Sequence, residues 1–264
     1  MAEPAKAVRH VLGLSGGKDS AALAIYLKDK GTVPDIEYFF CDTGAELPEV
    51  YAFIDRLEDY LGKEVARLNS GRDFDHYLKR FGGFLPSPRQ RWCTRVMKIE
   101  PFERFIGDDE AISYIGIRAD EDREGYISTK RNIKPVFPFI SDDIVRDDVF
   151  RILEESVGIP DYYRWRNRSG CYFCFFQQRR EWLGLKREHP QLFEDAKRYE
   201  NAKGGYTWVN GMTLDELAAR AVEAASGTSE SLPSASAYMS WQDLLRYASS
   251  DDDPEEQACL ICSL

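Results

Sequence analysis

The hydrophobic positions along the first third of the chain switch between two patterns. Val11 to Leu14 is a short apolar run, and the Ala/Leu-rich segment from Ala21 to Lys30 that follows it closes at Gly31. Asp35 to Cys41 carries Ile36, Tyr38, Phe39 and Phe40, and the segment after Pro48 sets Val50, Phe53, Ile54, Leu57 and Leu61 at helical spacing. Short apolar runs bounded by turn residues read as buried strands, and the i, i+3, i+4 spacing reads as helix. Strand, helix, strand, helix predicts βαβ units and a parallel sheet.

Further along, Lys63 to Leu68 reads as a strand, Phe74 to Phe81 as a helix and Gly82 to Pro88 as a lid-like loop. Arg91 to Phe102 reads as a helix kinked or restarted near Pro101, because proline lacks the N–H that a helix interior uses. Ala111 to Ile117 predicts a strand, Pro135 to Pro138 an extended segment, and Asp143 to Val157 an amphipathic helix with Val145, Val149, Ile152 and Leu153 on one side. Helices are expected over Gln178 to Glu188, Pro190 to Glu200 and Thr213 to Ala225, the last opened by a Thr213/Glu216 capping box. Ser226 to Ser236 has linker composition, and Trp241 to Tyr247 predicts a short helix. The expected fold class is α/β: a Rossmann-like parallel sheet flanked by helices, with a mostly helical, Cys-containing C-terminal part. The expected division is an α/β domain over residues 1-160 and a helical region over 161-264, with a linker near 226-237.

The junction of the first strand and helix is Ser15-Gly16-Gly17-Lys18-Asp19-Ser20. Glycines there admit backbone conformations closed to other residues and let a ligand approach closely. The serines supply hydroxyls, Lys18 a mobile charge, and the helix start unpaired N–H groups at its positive end. Together they make an anion cradle. The spacing is not that of a Walker A loop. Asp42-Thr43-Gly44 and Gly116-Ile117-Arg118 end two further strands at the same edge, where ligands of parallel sheets bind. An Asp there can bond a ribose or adenine group, and Arg118 brings a cation.

Charge refines this picture. The net charge of −10 argues against autonomous tight nucleic-acid binding. From Gly211 onward, however, ten Asp/Glu face two Arg, a net of −8 that leaves −2 for the rest. Residues 79–98 carry Lys79, Arg80, Arg89, Arg91, Arg95 and Lys98 with no acid, and 164–187 carry Arg164, Arg166, Arg168, Arg179, Arg180, Lys186 and Arg187 against Glu181 alone. Both runs flank cysteines and suit a polyanion site. Met1 to His10 lacks the apolar core of a signal peptide, and no run nears the roughly 18 apolar residues of a membrane span, so a cytoplasmic protein with no membrane partner is expected.

Six cysteines in a reducing compartment point to metal, redox or sulfur chemistry. Cys171/Cys174 and Cys259/Cys262 are chelating pairs, which together suit a four-thiolate site for Zn2+ or a [4Fe-4S] cluster. Cys41, inside a strand, reads as a small buried hydrophobe. Cys93, among Arg89, Arg91 and Arg95, is expected to have its thiolate favoured. His10, His76 and His189 form no cluster and read as surface or capping residues.

The Ser15–Ser20 hexapeptide resembles the PP-loop of the ATP pyrophosphatase superfamily, whose members split ATP between the α- and β-phosphates and leave an adenylylated substrate. With Asp42-Thr43-Gly44, Glu46, Pro48, Trp92-Cys93-Thr94, Lys98, Pro101, Gly116-Ile117-Arg118, Asp120-Glu121 and Gly170-Cys171…Cys174, the chain resembles the phosphoadenosine phosphosulfate (PAPS) reductase branch over residues 8 to 200. The resemblance implies ATP with Mg2+ as cofactors. It places Ser15, Gly16, Gly17, Lys18, Asp19 and Ser20 around the phosphates, Asp42 and Thr43 near the nucleoside, and Gly116 and Arg118 at the pyrophosphate or activated group. Lys18, Asp19, Arg118 and Cys93 are then the candidate catalytic residues. In the resembled family the Cys93 position lies beside the Cys-x-x-Cys turn, so Cys93 can replace a tail cysteine as a ligand, and the one left over would carry sulfur. The tail lacks the Glu-Cys-Gly motif of true reductases, and a Trp92-Cys93 pair stands where adenylylsulfate reductases have Cys-Cys. Single Cys93 plus the Arg168-Ser169-Gly170-Cys171 turn looks more like the ATP pyrophosphatase of bacterial DNA phosphorothioation systems of the Dnd/Ssp type. That likeness implies a cysteine desulfurase and DNA as partners, and a sulfurtransferase role. The alternatives are a PAPS/APS reductase, or a non-catalytic nucleotide- and metal-binding scaffold.

Overall fold

The computed structural model describes residues 7–33, 35–122, 128–200 and 206–227, with side chains as far as residue 222. Five strands form one sheet in the order β3-β2-β1-β4-β5: β1 (Arg9–Gly13), β2 (Ile36–Cys41), β3 (Val65–Leu68), β4 (Ala111–Tyr114) and β5 (Ile133–Val136). Every pairing is parallel. The expected Rossmann-like architecture is therefore the observed one. The chain runs outward from β1 through β2 to β3, then returns to lay β4 on the other side of β1. Strand order thus reverses between β1 and β4, and a crevice opens at their carboxyl ends.

Alternation along the strands sorts the core onto two faces. Leu12, Tyr38 and Phe40 join one cluster with α1 (Lys18–Lys30) and α2 (Pro48–Leu61), while Val11, Phe39 and Cys41 join the other with Phe102 and Ile106. Cys41 is the buried hydrophobe its strand position predicts. Helix α1 begins at Lys18, three residues before the apolar pattern does, because Gly17 is extended and opens the first turn directly after the loop. Gly31 closes it in the left-handed conformation. Helix α2 takes Pro48 in its first turn, where the missing N–H is harmless.

Helix α3 (Phe74–Arg80) is capped by Asp73, whose carboxylate accepts from the His76 N–H at 2.8 Å. Between residues 91 and 107 the helical path restarts near Pro101, as expected. It runs as α4 (Trp92–Thr94), a π turn (Arg95–Ile99) and α5 (Glu100–Ile106), with the Glu100 N–H reaching the Arg95 carbonyl. The irregularity that Pro101 imposes is absorbed one turn upstream. The predicted strand over Ala111 to Ile117 ends at Tyr114, which frees Ile115–Arg118 to turn across the sheet edge.

After α6 (Pro138–Ser141), helix α7 (Arg146–Glu154) packs on α1, and Val145 is its N-cap rather than part of its apolar face. A 3₁₀ turn (Asp161–Arg164) leads into the Cys171–Cys174 turn, followed by α8 (Arg179–Glu188), α9 (Pro190–Glu200) and α10 (Leu214–Gly227). The Thr213/Glu216 capping box forms as expected: Thr213 N–H donates to Glu216 at 2.9 Å and Glu216 N–H to Thr213 at 3.2 Å. Glu200, buried, accepts from the N–H groups of Trp208 and Leu214 and ties the segment after residue 206 onto α9. The linker from residue 228, the helix expected over Trp241–Tyr247, and Cys259 and Cys262 lie outside the described residues.

Candidate functional site

The loop that leaves β1 holds itself open through its own side chains. Ser15 N–H donates to the Ser20 hydroxyl at 3.1 Å, Gly17 N–H to the Ser15 hydroxyl at 3.3 Å, and the two hydroxyls meet at 3.1 Å. Gly16 sits at φ +74°, and a Cβ on it would lie 2.5 Å from Cγ1 of buried Val50. On Gly17 a Cβ would approach the Ser169 hydroxyl to 2.8 Å. Gly16 is therefore sterically required, and a side chain on Gly17 would displace the Ser169 hydroxyl. The Tyr162 hydroxyl donates to the Gly16 carbonyl, and Lys18 N–H donates to the Tyr163 hydroxyl at 2.9 Å. These two phenols and Ser169 support the loop from 145 residues or more along the chain, and no local sequence signal marked the two tyrosines.

The turn after β4 meets the loop at the strand-order reversal. A Cβ on Gly116 would stand 2.8 Å from the Asp19 carbonyl oxygen, so the two backbones touch. Arg118 follows, with Nη1 2.8 Å from Asp19 Oδ1, Nε 2.9 Å from Asp120 and Nη1 2.6 Å from Glu121. Lys18 Nζ lies 2.6 Å from the other oxygen of Asp19. One carboxylate thus holds two cations at the mouth of the crevice. Burial would push the Asp19 carboxyl up, but Lys18 and Arg118 outweigh it and hold the group well below the usual range. Its contribution to stability is present above the ordinary carboxylate value of 3.8 and is lost only as pH falls below it.

Gly116→Ala is expected to cost roughly 1–3 kcal/mol, the scale of overpacking. Because the obstacle is backbone, it should also move Asp19 and weaken nucleotide binding. Wild-type affinity for ATP in that variant would refute the contact.

At the end of β2, Asp42 accepts from Gly44 N–H and the Tyr51 hydroxyl, each at 2.8 Å. Thr43 Oγ1 donates to Glu46 Oε1 at 2.8 Å and lies 3.2 Å from Cys171 Sγ. Tyr172 N–H donates to the Ala45 carbonyl at 2.8 Å and fixes the Cys171–Cys174 turn against this loop. Buried Glu46 has one oxygen, Oε2, with no partner among the described residues. Burial opposes the charge on Lys98, yet the Glu46 carboxylate beside it keeps it protonated.

Cys171 and Cys174 share one turn, and Cys93 lies within electrostatic reach of Cys174. The expected activation of Cys93 does not hold. Burial pushes its thiol up to about 12, and Cys171 is raised well above the ordinary 9.0 by burial and then by Glu46. The neighbouring arginines point elsewhere: Arg91 lies over Phe176 and Arg95 pairs with Glu100 at 3.6 Å. As donors, three thiols suit a soft metal. Among the described residues, however, no three His, Cys, Asp or Glu side chains are grouped to hold a metal ion. Completing a four-thiolate site calls on Cys259 or Cys262.

The basic run over 164–187 is also not one surface. Arg166 is fully buried and donates to the carbonyls of Gly170 (3.1 Å) and Cys171 (2.8 Å), and Arg164 pairs with Asp161. The histidines are structural: His10 meets the Tyr114 hydroxyl at 2.8 Å, and His189 caps α8 and meets Glu49 at 2.7 Å. Among the described residues no helix is long and apolar enough to cross a membrane.

Comparison with known proteins identifies the family. Residues 9–140 match the family model of the phosphoadenosine phosphosulfate reductase domain. The uncharacterized protein MJ0066 of Methanocaldococcus jannaschii is 30% identical over 210 residues, 74% of this chain and 42% of that protein. The tRNA-specific 2-thiouridylase MnmA of Proteus mirabilis is 26% identical over 121 residues, 40% of this chain and 32% of that one. The chain spans less than half the length of these relatives. A crystal structure of PAPS reductase from Candida auris, a phosphate complex, superposes with a TM-score of 0.42 at 14% identity over 57% of this chain and 73% of that one. By its sequence match over residues 9–140, the chain belongs to the phosphoadenosine phosphosulfate reductase domain family.

Proposed function

We propose that the protein is an ATP pyrophosphatase that adenylates a backbone phosphate of DNA so that sulfur can be inserted there. The observation that carries the reading is the pair of cations, Lys18 and Arg118, sharing Asp19 at the β1/β4 crevice. An acceptor oxygen attacks the α-phosphorus of ATP, the α–β bridging bond breaks, and the electron pair leaves on pyrophosphate. Charge grows on the β-phosphate side, where fixed cations in a water-poor crevice stabilise it most. Mg2+ would arrive with the nucleotide and share that charge. Asp19 orients both cations, and Asp42 offers a carboxylate oxygen at the adjacent strand end for the nucleoside.

Sulfur insertion is supported by the likeness to a protein named as a 2-thiouridylase, and by the Cys171 thiol 3.2 Å from Thr43 Oγ1 at the end of β2. A persulfide from a partner cysteine desulfurase is the proposed sulfur source: its outer sulfur bonds to phosphorus as AMP leaves, and a second thiol then cleaves the S–S bond, forming a disulfide and releasing the phosphorothioate. Cys171 and Cys174 are the proposed metal-binding pair. Replacing both with Ser should remove bound zinc or iron and sulfide from protein purified without oxygen, and unchanged metal content would refute that pairing.

The decisive assay follows ATP with the desulfurase, cysteine and DNA present. Pyrophosphate and AMP are the expected products. Release of orthophosphate would overturn the reading, and sulfite formed from PAPS or APS would replace it with a reductase.

A further inference from the structure

The segment that joins α3 to α4 exposes aromatic rings among cations. Phe81 and Phe84 are 37% and 46% exposed, and Tyr206 is 41% exposed with its ring 5.1 Å from that of Phe84. Phe81 lies flat on Trp92 at 5.0 Å and 15°, and Trp92 Nε1 donates to the Phe84 carbonyl at 3.0 Å. The rings are thus fixed to a buried anchor. Gly82 and Gly83, at φ +71° and +78°, supply the bend that turns Phe84 outward.

Around them stand exposed Lys79, Arg80 and Arg89, and residues 79 to 98 contain no acid. The guanidinium groups of Arg91 and Arg168 lie 5.3 and 5.2 Å from the centroid of one ring, Phe176, and neither meets a carboxylate among the described residues. Arg168 is followed directly by Ser169, whose hydroxyl backs Gly17 of the phosphate loop. Two basic runs far apart in sequence therefore converge on one aromatic ring beside the nucleotide crevice.

We infer that this strip is a docking surface for an unpaired DNA strand, with bases stacking on Phe81, Phe84 and Tyr206 and backbone phosphates held by Arg91 and Arg168. Exposed flat rings interleaved with cations are what a single strand needs: every base has a face to stack, and every phosphate a charge to neutralise. A duplex hides its bases and would use the cations alone. The chain as a whole carries a net charge of −10, which keeps the attraction local to the strip. The inference rests on the adenylation reading for its purpose, because it leads an acceptor phosphate to Ser169 and the loop.

The test is fluorescence anisotropy of labelled oligo(dT), oligo(rU) and a duplex of equal length, with the full chain at low salt and no nucleotide. Oligo(dT) should bind tightest. Phe84→Ala should weaken it about fivefold or more, the scale of losing one base stack, and Phe84→Leu, which keeps apolar bulk without the flat face, should weaken it too. Arg91→Gln and Arg168→Gln should each lower the slope of log affinity against log salt by about 0.7. Wild-type binding in both Phe84 variants, or a duplex bound as tightly as oligo(dT), would overturn the surface while leaving pyrophosphate release untouched. Preference for oligo(rU) would overturn the DNA strand as its occupant. Normal oligo(dT) binding without pyrophosphate release under any condition would instead sink the adenylation reading alone.

Discussion

Lys18→Ala lowers pyrophosphate release by two orders of magnitude or more, the expected scale for losing one preorganised charge-stabilising group. The ion-pair geometry adds to the loss. Lys18 and Arg118 now divide the two oxygens of Asp19, at 2.6 and 2.8 Å. With Lys18 gone, Asp19 turns its whole charge on Arg118 and draws it away from the phosphates. Lys18→Met, which keeps the stem, separates charge from packing and should be as inactive with little change in melting temperature. A turnover rate within a fewfold of wild type in either variant would remove Lys18 from the reaction. Asp19→Asn is informative in the opposite sense: both cations lose their anchor, so ATP affinity and rate should fall together.

The second large effect is on stability. Arg166→Ala removes a fully buried guanidinium that donates to the carbonyls of Gly170 and Cys171. Hydrogen bonds from a charged donor contribute about 1.5–3 kcal/mol each, and the vacated volume adds a cavity cost. A total of about 3 kcal/mol or more is expected, seen as a fall in melting temperature of roughly 6–12 °C for a chain of this size. The Cys171–Cys174 turn should loosen first, which alkylation of Cys171 in metal-free protein would report. An Arg166→Ala protein that melts within a degree or two of wild type would show that the turn holds itself.

The fold was legible because it is written in short-range terms. Apolar runs at Val11–Leu14 and Ile36–Cys41, each followed by a helical period, are local facts, and the parallel sheet follows from them. The phosphate loop was equally legible, since a glycine turn between strand and helix carries its chemistry in six adjacent residues. What could not be read were contacts closed by the whole chain. Tyr162 and Tyr163 bond the loop backbone from beyond α7. Nothing in Asp161-Tyr162-Tyr163-Arg164 distinguishes them from core tyrosines. Charge misled for the same reason. Arg91, Arg95, Arg166 and Arg168 look alike in sequence, yet one is buried under a turn, one pairs with Glu100, and two meet over Phe176. The reactivity expected for Cys93 failed because a count of nearby arginines says nothing about burial, and burial dominates.

The outermost strand β5 has a consequence for assembly. The carbonyls of Asn132 and Val136 accept hydrogen bonds from Ala111 and Ile115, so alternate residues turn their polar backbone toward β4 and Pro135 turns its own outward. The open side of the sheet therefore lacks an N–H at its middle, and exposed Lys134 stands next to the gap. An incoming strand would find neither a continuous ladder nor a neutral rim. Any protein that joins this one, another copy of itself included, is steered away from extending the sheet along β5 and toward recognition by side chains.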